Sequence, residues 1–162
     1  MNLLLGKFER IRLTKPKRVI DASVILEIGF EEDNACINYI KKAGYDYQAF
    51  ITLPLLGETV LGVVSRFPNN PSIKDRVFDF VTDLIQKERL KIIPHDASSE
   101  ELFRSLQNSL SIIPKDDLLH IAEILTAGFR EFVTIDTKIS KDSAKYVLQE
   151  RFKLKVINPK QM

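Results

Sequence analysis

Cysteine, histidine and tryptophan are scarce in this sequence. Its 162 residues include one cysteine, Cys36, two histidines, His95 and His120, and no tryptophan. A single cysteine excludes an internal disulfide framework and favours a reducing compartment. One cysteine and two histidines are also too few for the usual structural zinc site. We therefore expect Cys36 to be a small buried apolar residue.

Long apolar runs are absent as well. No segment approaches the ~20 apolar residues of a membrane-spanning helix. The apolar stretch within residues 1–6 is short and follows no basic residue, unlike a secretory signal peptide. We expect a cytoplasmic protein with no membrane segment. Apolar residues make up 44% and charged residues 28%, which is typical of a globular domain.

Charge of one sign is concentrated at the start of the chain. The net charge is +2, from 24 basic and 22 acidic residues. Residues 1–18 hold six bases and one acid, a net of +5, so the rest holds 18 bases and 21 acids, a net of −3. We interpret residues 1–17 as a basic N-terminal arm and 18–162 as one domain. The arm is either a solvated tail or a contact for a polyanion.

Short β-type segments alternate with helical patterns along the rest of the chain. Strands are predicted over 18–20, 47–52, 90–93, 132–135 and 154–157. Helices are predicted over 31–43, 54–67, 98–110, 114–127 and 142–150, and a further one begins after Pro71 with an apolar stripe that reaches Leu84. Ser72 and Ser98 are each followed by an acid three residues later, as in a capping box. The alternation predicts an α/β fold, a three-layer α/β/α sandwich with a mainly parallel central sheet.

Two aspartates follow predicted strands directly. Asp21 comes after Val19-Ile20, and Asp136 comes after the strand that ends at Ile135. Ligand sites of parallel sheets lie beyond the carboxyl ends of the strands, where such side chains meet if the strands are neighbours. Each aspartate taken alone could equally be a turn residue.

The helix that starts near Pro114 carries a further candidate. At ~100° per residue, Asp117 falls on the apolar face with Ile121 and Ile124, whereas Asp116 falls on the polar face with Glu123. A carboxylate on an apolar face needs a partner. Asp117 is therefore either a functional acid or a contact to the free N–H groups of the first helical turn.

Glu58 gives conflicting signals. Its helical phase is opposite the stripe formed by Leu56, Val60 and Val63, which favours an exposed glutamate. Gly57 and Gly62 flank it, and helical glycines point to close approach by another element. His120, one turn after Asp117, is expected to be a packed or hydrogen-bonded residue rather than a metal ligand.

These residues resemble those of the PIN-domain ribonucleases, and within them the VapC-like toxins of toxin–antitoxin pairs. The matching segments are Val19-Ile20-Asp21-Ala22-Ser23, Glu58, Asp117-Leu118-Leu119-His120-Ile121-Ala122 and Val133-Thr134-Ile135-Asp136. Their acids are separated by 37, 59 and 19 residues. The resemblance spans about 18–157 and does not include the basic arm.

The resemblance implies an acidic pocket that binds Mg²⁺ or Mn²⁺ and hydrolyses single-stranded RNA, leaving 5′-phosphate and 3′-hydroxyl ends. It also implies a homodimer and a protein antitoxin. The residues carried over as catalytic and metal-binding are Asp21, Glu58, Asp117 and Asp136. Ser23 and Thr134 are candidates to hydrogen-bond a carboxylate or a metal-bound water. Otherwise Ser23 belongs to a helix N-terminal turn and Thr134 is an ordinary strand residue. Bases that could offset the repulsion of RNA are Arg66, Lys138 and Lys141.

Other α/β enzymes fit less well. A dinucleotide-binding fold needs a Gly-x-Gly-x-x-Gly segment after the first strand, and residues 21–26 contain no glycine. A haloacid-dehalogenase-type phosphatase usually has a second aspartate at the position of Ser23. Two alternatives remain open: a PIN-domain nuclease of RNA processing that is not a toxin, and a non-catalytic RNA- or protein-binding PIN module.

Overall fold

Five parallel strands form the centre of the protein, as described by a computed structural model that covers residues 14–30, 34–94 and 99–162. Their bounds are β1 Lys17–Ile20, β2 Gln48–Thr52, β3 Leu90–Ile93, β4 Glu131–Val133 and β5 Lys155–Ile157. The strand order is β3-β2-β1-β4-β5, with every neighbouring pair parallel. The predicted parallel sheet is therefore confirmed, and β1 lies at its centre.

The helices of the described residues connect these strands. Their bounds are α1 Ala22–Leu26, α2 Asn34–Lys41, α3 Leu53–Arg66, α4 Pro71–Gln86, α5 Glu100–Ser109, α6 Lys115–Thr126, α7 Thr137–Ser140 and α8 Asp142–Phe152. Short 3₁₀ turns cover Glu27–Gly29 and Pro159–Gln161. Right-handed crossovers in this strand order place α1–α4 on one face of the sheet and α5–α8 on the other. The result is the predicted three-layer α/β/α sandwich.

The core lies on both faces of the sheet. Val19, Ile51 and Phe132 of the strands are fully buried, as are Ile121 of α6 and Leu148 of α8. Each such side chain stabilises the fold by about 1.5–3 kcal/mol relative to an exposed position. Cys36 is also fully buried, in agreement with its interpretation as a small apolar residue. This packing holds the strand ends of β1 and β4 in fixed register.

Several local details differ from the sequence prediction. The side chain that caps α4 is Asn70 rather than Ser72, since its Oδ1 accepts a hydrogen bond from the Ile73 N–H. Ser99 caps α5, and Ser98 lies outside the described residues. The five-residue α1 was not predicted, because a helix that is buried on most sides and only one turn long shows no periodicity.

The basic arm lies mostly outside the described part of the chain, since residues 1–13 are not described. Lys15 and Lys17 are described and exposed. Among the described residues, no helix combines the length and apolar character that a membrane crossing requires.

Two glycines of α3 provide a matched stability test. A Cβ at Gly62 would lie 2.7 Å from Cδ1 of Leu26, whereas a Cβ at Gly57 would meet nothing within 4 Å. We expect Gly57→Ala to raise the free energy of unfolding by about 0.5–1 kcal/mol through helix propensity. Gly62→Ala should instead lower it by about 1 kcal/mol, because Leu26 must move in a packed site. Urea unfolding followed by circular dichroism measures both, and an equal gain for the two variants would contradict the close approach.

Candidate active site

An acidic pocket opens beyond the carboxyl end of the central strand. Its volume is about 580 Å³. The residues that line it come from α1, α3, the first turn of α6 and the segment after β4: Asp21, Ala22, Ser23, Leu26, Glu58, Leu61, Gly62, Val64, Ser65, Arg66, Asp117 and Asp136. All four acids singled out by the sequence thus line one cavity.

Asp21 is held by two hydroxyl groups, one from the first turn of α1 and one from the end of β4. The register pairs Ile20 of β1 with Val133 of β4, so Asp21 lies beside Thr134. Oγ of Ser23 donates to Oδ2 of Asp21 at 2.6 Å, and Oγ1 of Thr134 donates to the same oxygen at 2.7 Å. Among the described residues, no hydrogen bond occupies Oδ1. Burial raises the pKa of Asp21, and the two hydrogen bonds oppose that shift.

Thr134 also explains why β4 is shorter than predicted. The strand ladder ends at Val133, although the N–H of Thr134 still donates to the carbonyl of Ile157 at 3.0 Å. The Thr134 hydroxyl accepts the N–H of Asp136 at 3.1 Å while it donates to Asp21. The chain therefore leaves the sheet before Asp136 because a side chain replaces the next backbone partner.

Asp136 is fixed by the helix that follows it. Its Oδ1 accepts the backbone N–H groups of Lys138 at 2.8 Å and Ile139 at 3.4 Å, as the N-cap of α7. The carboxylate is consequently pinned at the strand end. Lys138 and Lys141 have exposed side chains and do not line the pocket, whereas Arg66 does.

Asp117 is half-buried and Asp116 is exposed, as the helical phase predicted. Asp117 lines the pocket, and no described backbone N–H donates to it, so the first-turn contact is not formed. Its pKa is raised to about 6, first by burial and then by the negative charges of Asp136, Asp21 and Glu58. The acids are thus close enough to repel one another.

Glu58 combines both of its sequence interpretations. Its side chain is 47% exposed, yet it lines the pocket and its Oε1 lies 3.3 Å from Nε2 of His120. Of the two glycines, only Gly62 marks a close approach, to Leu26 of α1. His120 is hydrogen-bonded, as predicted, and it links α3 to α6.

The surroundings of His120 differ from the sequence prediction. Glu123 was placed on the polar face of its helix, but its side chain is only 9% exposed. Its Oε2 lies 3.9 Å from Nδ1 of His120, beyond hydrogen-bond distance. The i, i+3 spacing of His120 and Glu123 could have indicated this neighbour. Glu123 is therefore a buried neighbour of the histidine that contacts Glu58.

The donor chemistry of the pocket suits a hard divalent cation. Carboxylate and hydroxyl oxygens are the ligands that Mg²⁺ and Mn²⁺ prefer, and a cation would relieve the repulsion that raises the pKa of Asp117. Within the described residues, however, no three acidic, histidine or cysteine side chains are gathered closely enough to hold a metal ion as they stand. The pocket fits a metal by its donors and location, without a preformed ligand set.

Comparison with known proteins is consistent with this arrangement. The family model described as PIN domain matches residues 18–143. No curated protein shows a significant sequence match to the chain.

Solved structures share the fold at low sequence identity. VapBC2 from Rickettsia felis, bound to a DNA fragment from its promoter, is similar with a TM-score of 0.61 and 17% identity, over 88% of this chain and 98% of the other. FitAcB from Neisseria gonorrhoeae is similar with a TM-score of 0.60 and 15% identity, over 90% of this chain and 99% of the other. The DNA-bound VapBC from Salmonella typhimurium is similar with a TM-score of 0.55 and 14% identity, over 89% of this chain and 98% of the other.

The repulsion at Asp117 predicts that Asp117→Asn stabilises the metal-free protein. An aspartate with a folded pKa of about 6, against about 3.9 when unfolded, holds its proton more tightly in the folded state. Its ionisation therefore removes stability as the pH rises from about 4 to 6. In EDTA near pH 7.5, we expect the variant to gain about 1 kcal/mol after solvent screening, or about 3 °C in Tm.

The pH dependence provides the control for this prediction. The gain should vanish near pH 4, because wild-type Asp117 is then protonated. Asp116→Asn removes a neighbouring charge at an exposed position and should leave the midpoint unchanged. A gain that is the same at both pH values would contradict the raised pKa of Asp117.

Proposed function

Because the chain belongs to the PIN domain family, we propose that it is a metal-dependent endoribonuclease that hydrolyses single-stranded RNA. The observation that carries the proposal is the acidic pocket, where Asp21, Glu58, Asp117 and Asp136 come from four separate parts of the chain to line one cavity. A non-catalytic module would have no need to keep repelling acids together at a cost in stability.

We assign metal binding and catalysis to these four acids, with Mg²⁺ or Mn²⁺ as the cation. The bound cation would supply an activated water and offset the charge that develops on the phosphate. Ser23 and Thr134 keep Asp21 oriented by bonding one of its oxygens and leaving the other for the cation.

The remaining acids are positioned by different elements. The two N–H groups at the start of α7 hold Asp136, and His120 holds Glu58 toward the pocket. The phosphate must approach an acidic cavity, so a nearby base lowers the repulsion. Arg66 lines the pocket and is the base best placed for this role. Lys138 and Lys141 would contact the RNA outside the pocket, from α7 and from the junction of α7 with α8.

We further propose that the nuclease is the toxin of a toxin–antitoxin pair and that it forms a homodimer in the cytoplasm. The similar structures come from proteins named as VapBC pairs, which supports a protein partner. Exposed apolar residues on α3, namely Val60, Leu61 and Val64, lie at or beside the pocket and offer a surface for such contacts. An RNA-processing nuclease that is not a toxin is the alternative, with the same chemistry.

The activity prediction is tested with purified protein and single-stranded RNA. We expect cleavage with Mg²⁺ or Mn²⁺ and none with EDTA. Asp21→Asn, Asp117→Asn and Asp136→Asn should each reduce the rate by at least about 100-fold, because metal binding and water activation are lost. Circular dichroism establishes that the variants remain folded.

Asp116→Asn is the matched control, since its side chain is exposed and lies outside the pocket. We expect it to cleave at about the wild-type rate. Full activity of all three pocket variants would overturn the assignment, and loss of activity in the Asp116 variant alone would mean that the other face of α6 carries the acid.

The toxin proposal is tested in cells. Induced expression of the wild-type chain in a bacterial host should arrest growth, and Asp136→Asn should not, because the arrest requires RNA cleavage. Mapping cut sites in total RNA then identifies the target. Normal growth during expression of protein that cleaves RNA in vitro would favour the processing alternative.

A further inference from the structure

The end of the sheet opposite the acidic pocket is basic. All five described strands are parallel, so their amino ends lie at the same end of the sheet, called here the amino edge. Bases at or just before these starts are Lys15, Lys17, Arg18, Arg89, Arg130 and Lys155, and nearby acids are Asp46, Glu88 and Glu131. Glu131 pairs with Arg18 at 3.3 Å and with Lys155 at 4.0 Å. The other bases form no ion pair within the described residues.

A cleft of about 270 Å³ lies on this edge, at the starts of β2 and β3. It is lined by Lys15, Gly44, Gln48, Ala49, Glu88, Arg89 and Lys91. Three bases against one acid make it cationic, whereas the catalytic pocket has one base against four acids. The two cavities thus differ in the sign of their charge.

Local hydrogen bonds hold the cationic groups of the cleft in place. Nζ of Lys15 donates to the carbonyl of Gly44 at 2.9 Å. The Arg89 guanidinium donates to the carbonyls of Ala43 at 2.8 Å and Lys41 at 2.6 Å. These contacts place positive charge at the cleft while using only part of each donor set. Lys91 is exposed on the edge strand β3.

An exposed aromatic ring lies beside the cleft, next to Arg89. Tyr45 is 65% exposed, and the Arg89 guanidinium lies 4.6 Å from its ring centre. Bases together with an accessible ring are the features with which proteins bind single-stranded nucleic acid: cations contact phosphates, and rings stack on bases.

We propose that this cleft binds a segment of the single-stranded RNA that flanks the cut site. The inference rests on the proposed function. A polyanion gains little affinity from a pocket with four acids, so the phosphate contacts that drive binding must lie elsewhere. Strand β2 has five residues and spans about 17 Å between the two ends of the sheet. Only an RNA long enough to cross that distance reaches both sites.

The test compares a long and a short RNA. In EDTA, Lys15→Glu combined with Lys91→Glu should weaken binding of an RNA of about 20 nucleotides at least tenfold. It should also reduce the slope of log affinity against log salt by about 1.4, since each lost phosphate contact on a single strand contributes about 0.7. Tyr45→Ala should weaken binding about tenfold through lost stacking. Arg89 is not substituted in these variants, because its hydrogen bonds to the carbonyls of Lys41 and Ala43 hold the local structure together.

A charge-matched variant controls for net charge. Arg104→Glu combined with Arg151→Glu makes the same charge change on exposed positions of α5 and α8, and it should bind the long RNA like the wild type. With Mg²⁺, an RNA of about four nucleotides should be cleaved equally by the wild type and by the Lys15/Lys91 variant, because it reaches only the pocket.

The outcomes separate the two proposals. If the cleft and control variants lose equal affinity for the long RNA, the proposed RNA site is overturned and only a nonspecific effect of net charge remains. Unchanged RNA binding in the cleft variants would also overturn the proposed RNA site. Polyglutamate serves as a second probe: if the cleft variants lose binding to polyglutamate but keep binding to RNA, the cleft belongs to an acidic protein partner. A wild type that binds the long RNA through the cleft but cleaves no RNA would overturn the proposed function and leave the cleft supported.

Discussion

The acidic site depends on one constraint: carboxylates that repel one another are held together at the carboxyl ends of the parallel strands. Burial and three neighbouring acids raise the pKa of Asp117 to about 6, so ionising it in the metal-free protein costs stability. Hydrogen bonds nevertheless fix two of the neighbouring acids. Hydroxyls from α1 and from the end of β4 hold Asp21, and the first turn of α7 holds Asp136.

The parallel sheet separates charge as well as positioning the acids. Because all strands run the same way, residues that follow strands collect at one edge and residues that precede them collect at the other. The first edge carries the acidic pocket and the second carries the Lys15, Arg89 and Lys91 cleft. A net charge of only +2 therefore conceals an uneven distribution of charge between these two cavities. On the proposals made above, the acidic edge cleaves RNA and the basic edge retains it.

The residues differ in how far their placement could be predicted. Helical phase was enough to separate Asp117 from Asp116, because α6 packs one face on the core and phase is a property of the helix alone. Glu58 was ambiguous because its position depends on His120, which is 62 residues away along the chain. Glu123 was misplaced on the polar face, since packing against other elements buries it. The predicted capping residue of α4, Ser72, was wrong because asparagine and serine are equally suitable N-cap residues, and only the backbone geometry selects Asn70.

The sequence by itself determined the alternation of strands and helices, the parallel sheet and the position of Asp21 directly after a strand. These features depend on periodicity and on local chain order, which are written in neighbouring residues. Only the tertiary structure decided that β1 and β4 are paired, which joins Ser23 and Thr134 on one oxygen of Asp21. It also decided that His120 reaches Glu58 and that Lys15, Arg89 and Lys91 share a cleft. These contacts join residues far apart in the chain, so their formation depends on how the layers pack.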